Sequence, residues 1–126
     1  MCTQVTKLIE TSSSWNGAAL PKYLDGNPKV TILKIIIPGK TKLDIHKYPE
    51  INAGVLLKGK LTVISENSDT LYLSAGDPIV ELVESWHYGI NEGKKPVEII
   101  VFYAGVEGTP ITILKKNNPL IKTKNH

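Results

Sequence analysis

The feature that most constrains how this sequence can fold is its series of short apolar runs separated by turn residues. The clearest are residues 30–37, which are mostly β-branched and stop at Pro38-Gly39, and residues 97–104, in which Glu98 is the single charge. Pro-Gly is a turn signal, and β-branched runs of this length are typical of strands. No stretch keeps a 3.6-residue apolar period over three turns, as an amphipathic helix would. The pattern predicts an all-β domain, about half strand, with at most one short helix.

Nine strands are expected from this pattern. They cover residues 30–37, 43–48, 52–57, 61–65, 71–73, 79–83, 87–90, 97–104 and 111–114. In the fourth, Leu61 and Val63 alternate with Thr62 and Ile64, as expected where one face is buried. So many short strands favour a sandwich or a barrel.

The 126 residues suffice for one core and not for two. Residues 1–28 are rich in Ser, Asn and Gly, and we expect an N-terminal arm there with a few anchors, Trp15 and Tyr23 among them. The barrel domain is expected at 29–115. The Lys- and Asn-rich residues 116–126 are expected to form a frayed tail.

The charge balance argues against nucleic-acid binding. Fifteen Lys against twelve acidic residues give a net charge of +3, and the sequence contains no Arg. Readers of nucleic acid rely on bidentate Arg contacts and on clustered positive charge. No run of about twenty apolar residues is present, so no membrane span is expected.

Cys2 is the single cysteine, which excludes an intramolecular disulfide and a thiolate metal cluster. The start of the chain shows no basic region followed by an apolar stretch, so it predicts a cytoplasmic protein. A cysteine directly after the initiator leaves one alternative open. It would be the lipid-modified first residue of an exported protein whose signal peptide has been removed.

Two histidine-bearing segments resemble the paired motifs of small single-domain bacterial cupins. In the first, Gly39 is followed after five positions by Ile45-His46-Lys47-Tyr48-Pro49, and Gly59 closes the motif. In the second, Gly76 is followed eleven positions later by His87, and Asn91 completes it. The resemblance covers about two-thirds of the chain. It implies a cupin-type double-stranded β-helix, that is, a jelly-roll barrel.

Cupins of this kind commonly hold a divalent metal with three His and one Glu inside the barrel. His46 matches the first of these ligands and His87 the last, whereas Tyr48 replaces the second His and Asn52 the Glu. Strand positions i and i+2 share a face, so a His-x-His pair aims both rings at one point. With two of four ligands retained, we expect weak or partial binding of Zn, Ni, Mn or Fe.

Other residues are candidates for the same pocket. Glu81 interrupts an apolar strand and must face water or be paired inside, which makes it a third metal ligand or a proton acceptor. Tyr48 and Asn52 are expected to line the pocket as hydrogen-bonding groups. Glu50 is a ligand-binding candidate, although Pro49 disturbs the strand alternation and favours a solvated loop carboxylate there. Among the aromatic residues, Trp86 and Tyr103 are expected to lie near a ligand.

The sequence leaves three functions open. One is a metal-binding cupin, an enzyme or enzyme-like protein, in which His46, His87 and Glu81 leave positions open for a small polar substrate. The alternative is a metal-free module that binds a small molecule without catalysis, and the third is a purely structural or interaction domain. The arm is too polar for a core of its own, and in the cupins that this chain resembles it often crosses to a second subunit, which predicts a homodimer.

Overall fold

The structure is a computed structural model that describes residues 2–115. About half of them lie in strands and none in a helix, which confirms the all-β prediction. The strands are β1 (Pro28–Ile37), β2 (Thr41–Lys42), β3 (His46–Lys47), β4 (Ile51–Lys58), β5 (Lys60–Ser65), β6 (Thr70–Ser74), β7 (Pro78–Val80), β8 (His87–Asn91), β9 (Val97–Val106) and β10 (Ile113–Leu114). The predicted tail, 116–126, lies outside the described residues.

The strands form two antiparallel sheets that pack face to face. The first has the order β1-β9-β4-β7, and the second has the order β10-β3-β8-β5-β6, with β2 also paired to β8. Sequence neighbours are distributed between the two sheets, as in a jelly roll. The core lies between them and is built mainly from Leu56, Leu61, Val63, Leu73, Ile79, Val97, Ile99 and Val101.

The register brings two rows of polar side chains opposite each other inside the barrel. In the first sheet, Asn52 of β4 pairs with Tyr103 of β9, and its carbonyl accepts the backbone N–H of Glu81, just after β7. In the second sheet, His87 pairs with His46 on one side and with Ser65 on the other. Since directly opposed residues share a face, each row projects from one face of its sheet.

Three strands are shorter than the sequence predicts. Within residues 43–48 only β3 is strand, and within residues 111–114 only β10. β7 ends at Val80, and the chain bends over residues 83–85 before β8. Glu81 therefore lies just past the end of β7, with its carboxylate 3.4 Å from the ring of His87.

Part of the N-terminal arm packs on its own barrel. Trp15 donates its backbone N–H to the carbonyl of Val80 at 2.9 Å, and the hydroxyl of Ser14 donates to the carbonyl of Glu81 at 2.9 Å. These bonds cover the outer edge of β7. The prediction that Tyr23 also anchors the arm is wrong, since this residue is 73% exposed. No helix in the described part of the chain has the length and apolar character needed to cross a membrane.

Candidate functional site

His46 and His87 lie side by side inside the barrel. Strand pairing between β3 and β8 sets them directly opposite each other, and their ring centroids are 4.6 Å apart. Both are buried, at 7% and 1% exposure. The structure therefore brings together the two histidines that the motif spacing singled out.

Each ring is oriented by a backbone carbonyl two residues before it. His46 Nδ1 lies 2.7 Å from the carbonyl oxygen of Asp44, and His87 Nδ1 lies 2.8 Å from that of Ser85. Because a carbonyl only accepts, both Nδ1 atoms must carry a hydrogen. In a neutral ring the lone pair is then on Nε2. Metal-binding histidines are commonly oriented by this kind of bond.

Glu81 is the acidic member of the cluster. Its Oε2 lies 3.4 Å from His87 Nε2. Its Oε1 accepts hydrogen bonds from the Trp15 indole N–H and from the Leu82 backbone N–H, both at 3.2 Å. One carboxylate oxygen is thus held by the protein, while the other faces the imidazole.

The charges of His87 and Glu81 stabilise each other. Burial alone would lower the pKa of His87, but the Glu81 carboxylate outweighs it and raises that pKa. Burial alone would raise the pKa of Glu81, but His87 outweighs it and lowers that pKa. His87 Nε2 nevertheless makes no hydrogen bond. When His87 is neutral, the lone pair on its Nε2 faces the negatively charged carboxylate of Glu81. A proton on Nε2, or another cation between the two groups, would relieve this repulsion.

The environment of His46 is different. Burial is the main cause that lowers its pKa, and the neighbouring His87 lowers it further. Its Nε2 lies 3.1 Å from the hydroxyl of Tyr48. A neutral His46 accepts this hydrogen bond from Tyr48, so the lone pair that a metal would need is already engaged.

Tyr48 and Tyr103 close the cluster on the side of the first sheet. Their rings meet edge to face with centroids 5.6 Å apart. Burial raises the pKa of Tyr48 well above its ordinary value and that of Tyr103 to about 12. Both hydroxyls are therefore protonated hydrogen-bond donors at neutral pH.

Asn52 and Glu50 are both buried on the inner side of the first sheet, each at 1% exposure. Asn52 lies in the row between Tyr103 and Glu81, and its Oδ1 has no hydrogen-bond partner. The expectation of a solvated Glu50 is wrong. Its carboxylate lies across Gly105, which has no side chain to displace it, and accepts the N–H of Val106 at 3.2 Å.

Trp86 is not brought into the cluster. It precedes His87 and is half-buried, and its ring lies under the ammonium groups of Lys47 and Lys115, at 4.8 Å and 5.8 Å from the ring centroid. Sequence reasoning assigned Trp15 only an anchoring role and missed its bond to Glu81. Nothing in the local pattern links the two residues, which are 66 positions apart.

Two cavities adjoin the histidines. One, of about 50 Å³, has His46, Tyr48, Glu81 and His87 in an otherwise apolar wall. It has room for an ion with a few waters, far less than the roughly 300 Å³ of an ordinary ligand pocket. The other, of about 150 Å³, shares His46 and Tyr48 and extends past Tyr103.

The side chains of the cluster are not arranged as a complete metal-coordination site. Among residues 2–115, no three His, Cys, Asp or Glu side chains are already arranged to hold an ion. His46, His87 and Glu81 nevertheless line one small cavity. Two imidazoles and a carboxylate are a donor set that suits zinc and its neighbours in the first transition row.

No family model matches this sequence, and no curated protein sequence matches it. Solved structures do match. The DMSP lyase DddQ from Ruegeria pomeroyi DSS-3 superposes with a TM-score of 0.59 at 18% identity, over 68% of this chain and 42% of that one. A recombinant oxalate oxidase in complex with glycolate gives 0.58 at 18% identity, over 68% and 45%.

A Cupin 2 conserved barrel domain protein from Salinispora arenicola CNS-205 matches with a TM-score of 0.51 at 15% identity, over 64% of this chain and 77% of that one. The chain spans less than half of the length of the lyase and the oxidase. At these identities the likeness concerns the fold. The jelly-roll barrel predicted from the sequence is confirmed.

Proposed function

We propose that this chain, which has the cupin fold, is a ligand-binding module whose barrel holds a divalent cation through His46, His87 and Glu81. The observation that carries the proposal is the orientation of the two rings. Both Nδ1 atoms are tied to backbone carbonyls, which leaves Nε2 free of the backbone in each ring. His87 Nε2 lies 3.4 Å from Glu81 Oε2, and His46, His87 and Glu81 line the same small cavity. Zn, Ni, Mn and Fe are the candidate ions.

The side chains around the two histidines explain why we expect weak and not tight binding of a cation. A shared ion needs bonds of about 2.0–2.1 Å to each nitrogen, yet the Tyr48 hydroxyl already donates to His46 Nε2. Asn52, where the motif has Glu, offers the unpartnered oxygen Oδ1 but no charge. Occupancy would require the Tyr48 hydroxyl to release His46.

The protein's own groups have separable roles. A bound cation would supply Lewis acidity towards an oxygen of a small polar ligand. The carbonyls of Asp44 and Ser85 orient the rings, and the Trp15 indole holds one oxygen of Glu81. The protonated hydroxyl of Tyr48 is placed to donate a hydrogen bond to the ligand. The apolar wall around these groups limits entry of water.

The second candidate function is metal-free binding of a small molecule. The engaged lone pair of His46 favours it, because Tyr48 already satisfies that nitrogen without an ion. In this case His87 and Glu81 form an internal ion pair, the Tyr103 hydroxyl supplies a donor to the ligand, and the oxygen of Tyr48 supplies an acceptor.

Calorimetric titration of Zn²⁺, Ni²⁺ or Mn²⁺ into untagged, chelator-treated protein tests the first proposal. We expect micromolar or weaker binding, and about tenfold weaker binding for Glu81→Gln, which keeps the shape and removes the charge. Glu84→Gln is the matched control, since that side chain is 59% exposed and should leave the affinity unchanged. Absence of any binding by the unmodified protein would favour the metal-free function.

We also propose that two copies associate through the outer face of the first sheet. On β1 the outward side chains of Val30, Ile32 and Ile36 are 57–63% exposed, and Phe102, the direct neighbour of Ile32 on β9, is 42% exposed. Contiguous apolar surface of this kind marks interaction sites.

The charges on this outer face are compatible with a second copy of the chain as the partner. The carboxylate on the face, that of Glu98, forms ion pairs with Lys34 at 3.4 Å and Lys58 at 3.3 Å in the same chain. The faces of two copies can therefore pack symmetrically without leaving an acidic group unpaired. The arm adds the exposed apolar side chains of Val5 and Leu8, which its own barrel does not cover.

Light scattering after size exclusion checks the assembly. We expect twice the chain mass of 13.8 kDa for the unmodified protein, and a monomer for the double variant Ile32→Glu/Phe102→Glu, because four carboxylates would be buried in each symmetric interface. Tyr72→Glu is the control, since Tyr72 is 76% exposed on the other sheet. A monomeric unmodified protein at high concentration would contradict the proposal.

A further inference from the structure

The larger cavity lies between the edge strands of the two sheets. Leu33 and Ile35 of β1 form one side, and Leu114 of β10 forms the other. Its volume is about 150 Å³. An apolar cavity of this size is large enough for benzene, which a comparable engineered cavity does bind.

Most polar side chains in the wall of this cavity lie at the end next to the histidine cluster, namely Asp44, His46, Tyr48 and Tyr103. Leu33, Ile35 and Leu114 supply aliphatic surface, with Thr112 as a further polar residue. An occupant must therefore be amphipathic and compact. Even together, the two cavities are smaller than the roughly 300 Å³ at which ordinary ligand pockets begin, which excludes nucleotides and oligosaccharides.

We propose that this cavity is a subsite for a ring-sized apolar group of a small organic ligand, a single six-membered ring or a branched alkyl group of that size, whose polar head reaches His46 and Tyr48. The proposal deepens the ligand-binding part of the proposed function and does not require the cation. Tyr48 already gives its proton to His46, so the head group meets the Tyr48 oxygen, which accepts a hydrogen bond, and the Tyr103 hydroxyl, which donates one.

One competing occupant is the chain itself. Leu114 lines the cavity, and the apolar pair Leu120-Ile121 follows it closely in the sequence. An apolar pair offers no hydrogen-bonding atom to the Tyr103 hydroxyl at this end of the cavity, whereas a ligand with a polar head does. The small-molecule occupant is therefore favoured, and the chain segment becomes an outcome of the test.

Titration of fluorobenzene into the full-length protein without added metal, followed by ¹⁹F NMR, tests the subsite. We expect saturable binding that Leu33→Trp weakens at least about tenfold by filling the cavity. Leu114→Phe fills the cavity from the opposite side and should also weaken fluorobenzene binding. It replaces Leu33→Trp in the test if that variant does not fold. Ile32→Trp, on the outward face of the same strand, should change the affinity less than about twofold.

Three results would overturn the subsite. They are no saturable binding, an equal loss in Ile32→Trp, and binding that emerges only in Leu120→Asp/Ile121→Asp, which would assign the cavity to the chain. Zinc titration of the same variants distinguishes failure of the subsite proposal from failure of the cation-binding proposal. Leu33→Trp should retain the cation affinity, so loss of fluorobenzene binding and absence of cation binding are read separately.

Discussion

Replacing Tyr48 by His and Asn52 by Glu together is expected to tighten binding of Zn²⁺ or Ni²⁺ by at least tenfold, or about 1.4 kcal/mol. The first substitution removes the hydroxyl that engages His46 Nε2 and adds a third imidazole. The second replaces the unpartnered Oδ1 of Asn52 with a full negative charge in the row between Tyr103 and Glu81. Borderline metals gain from both changes, since nitrogen donors and charge neutralisation dominate their affinity.

Calorimetry at fixed pH measures this gain. Tyr88→His is the matched control, because it adds an imidazole one residue after His87, where Lys42 lies over the tyrosine ring, and should leave the affinity within about twofold. Tyr48→Phe separates release of His46 from addition of a ligand. If the double variant gains nothing, the cluster is no metal site and the metal-free module replaces it. Nanomolar binding by the unmodified protein would mean that Glu81 or Glu50 already completes the site.

The fold was predictable because strand signals are local. Alternating or β-branched runs such as 61–65 and 97–104, with turns at Pro38-Gly39 and Lys58-Gly59-Lys60, specify strands without knowledge of their partners. The barrel architecture came from the resemblance to a known family and not from the pattern, and the order in which the strands pair was not predicted. Short pieces such as β2 and β10 depend on tertiary pairing, so the sequence could not fix their bounds.

The site was predictable in part for a similar reason. Motif spacing identified His46 and His87, and the interruption of an apolar run identified Glu81. Burial of Glu50 could not be foreseen, because the room for its carboxylate is made by Gly105 on another strand. The bond from Trp15 to Glu81 likewise depends on where the arm lies, which no local signal reports.

Substituting Gly54 by Ala is expected to lower the free energy of unfolding by about 3 kcal/mol. A Cβ at this position would clash with the backbone carbonyl oxygen of Ile100 on β9, and a backbone atom cannot move aside as a flexible side-chain end can. Relief would require β4 and β9 to separate at the centre of the first sheet. Because Asn52 is two residues away on the same face, the polar row that faces the histidines would shift as well.

Urea denaturation of the two glycine variants measures the effect. Gly89→Ala is the matched control, since it also lies inside a strand. Its Cβ would meet side-chain atoms of Leu43 and Leu61 at 3.5 Å and 3.6 Å, and the backbone oxygen of Thr62 at 3.8 Å. These are ordinary contact distances, so a change within about 1 kcal/mol is expected. Equal stabilities for the two variants would mean that the close approach of β4 to β9 at Gly54 is not required. In that case, the row formed by Tyr103, Asn52 and Glu81 would not depend on it either.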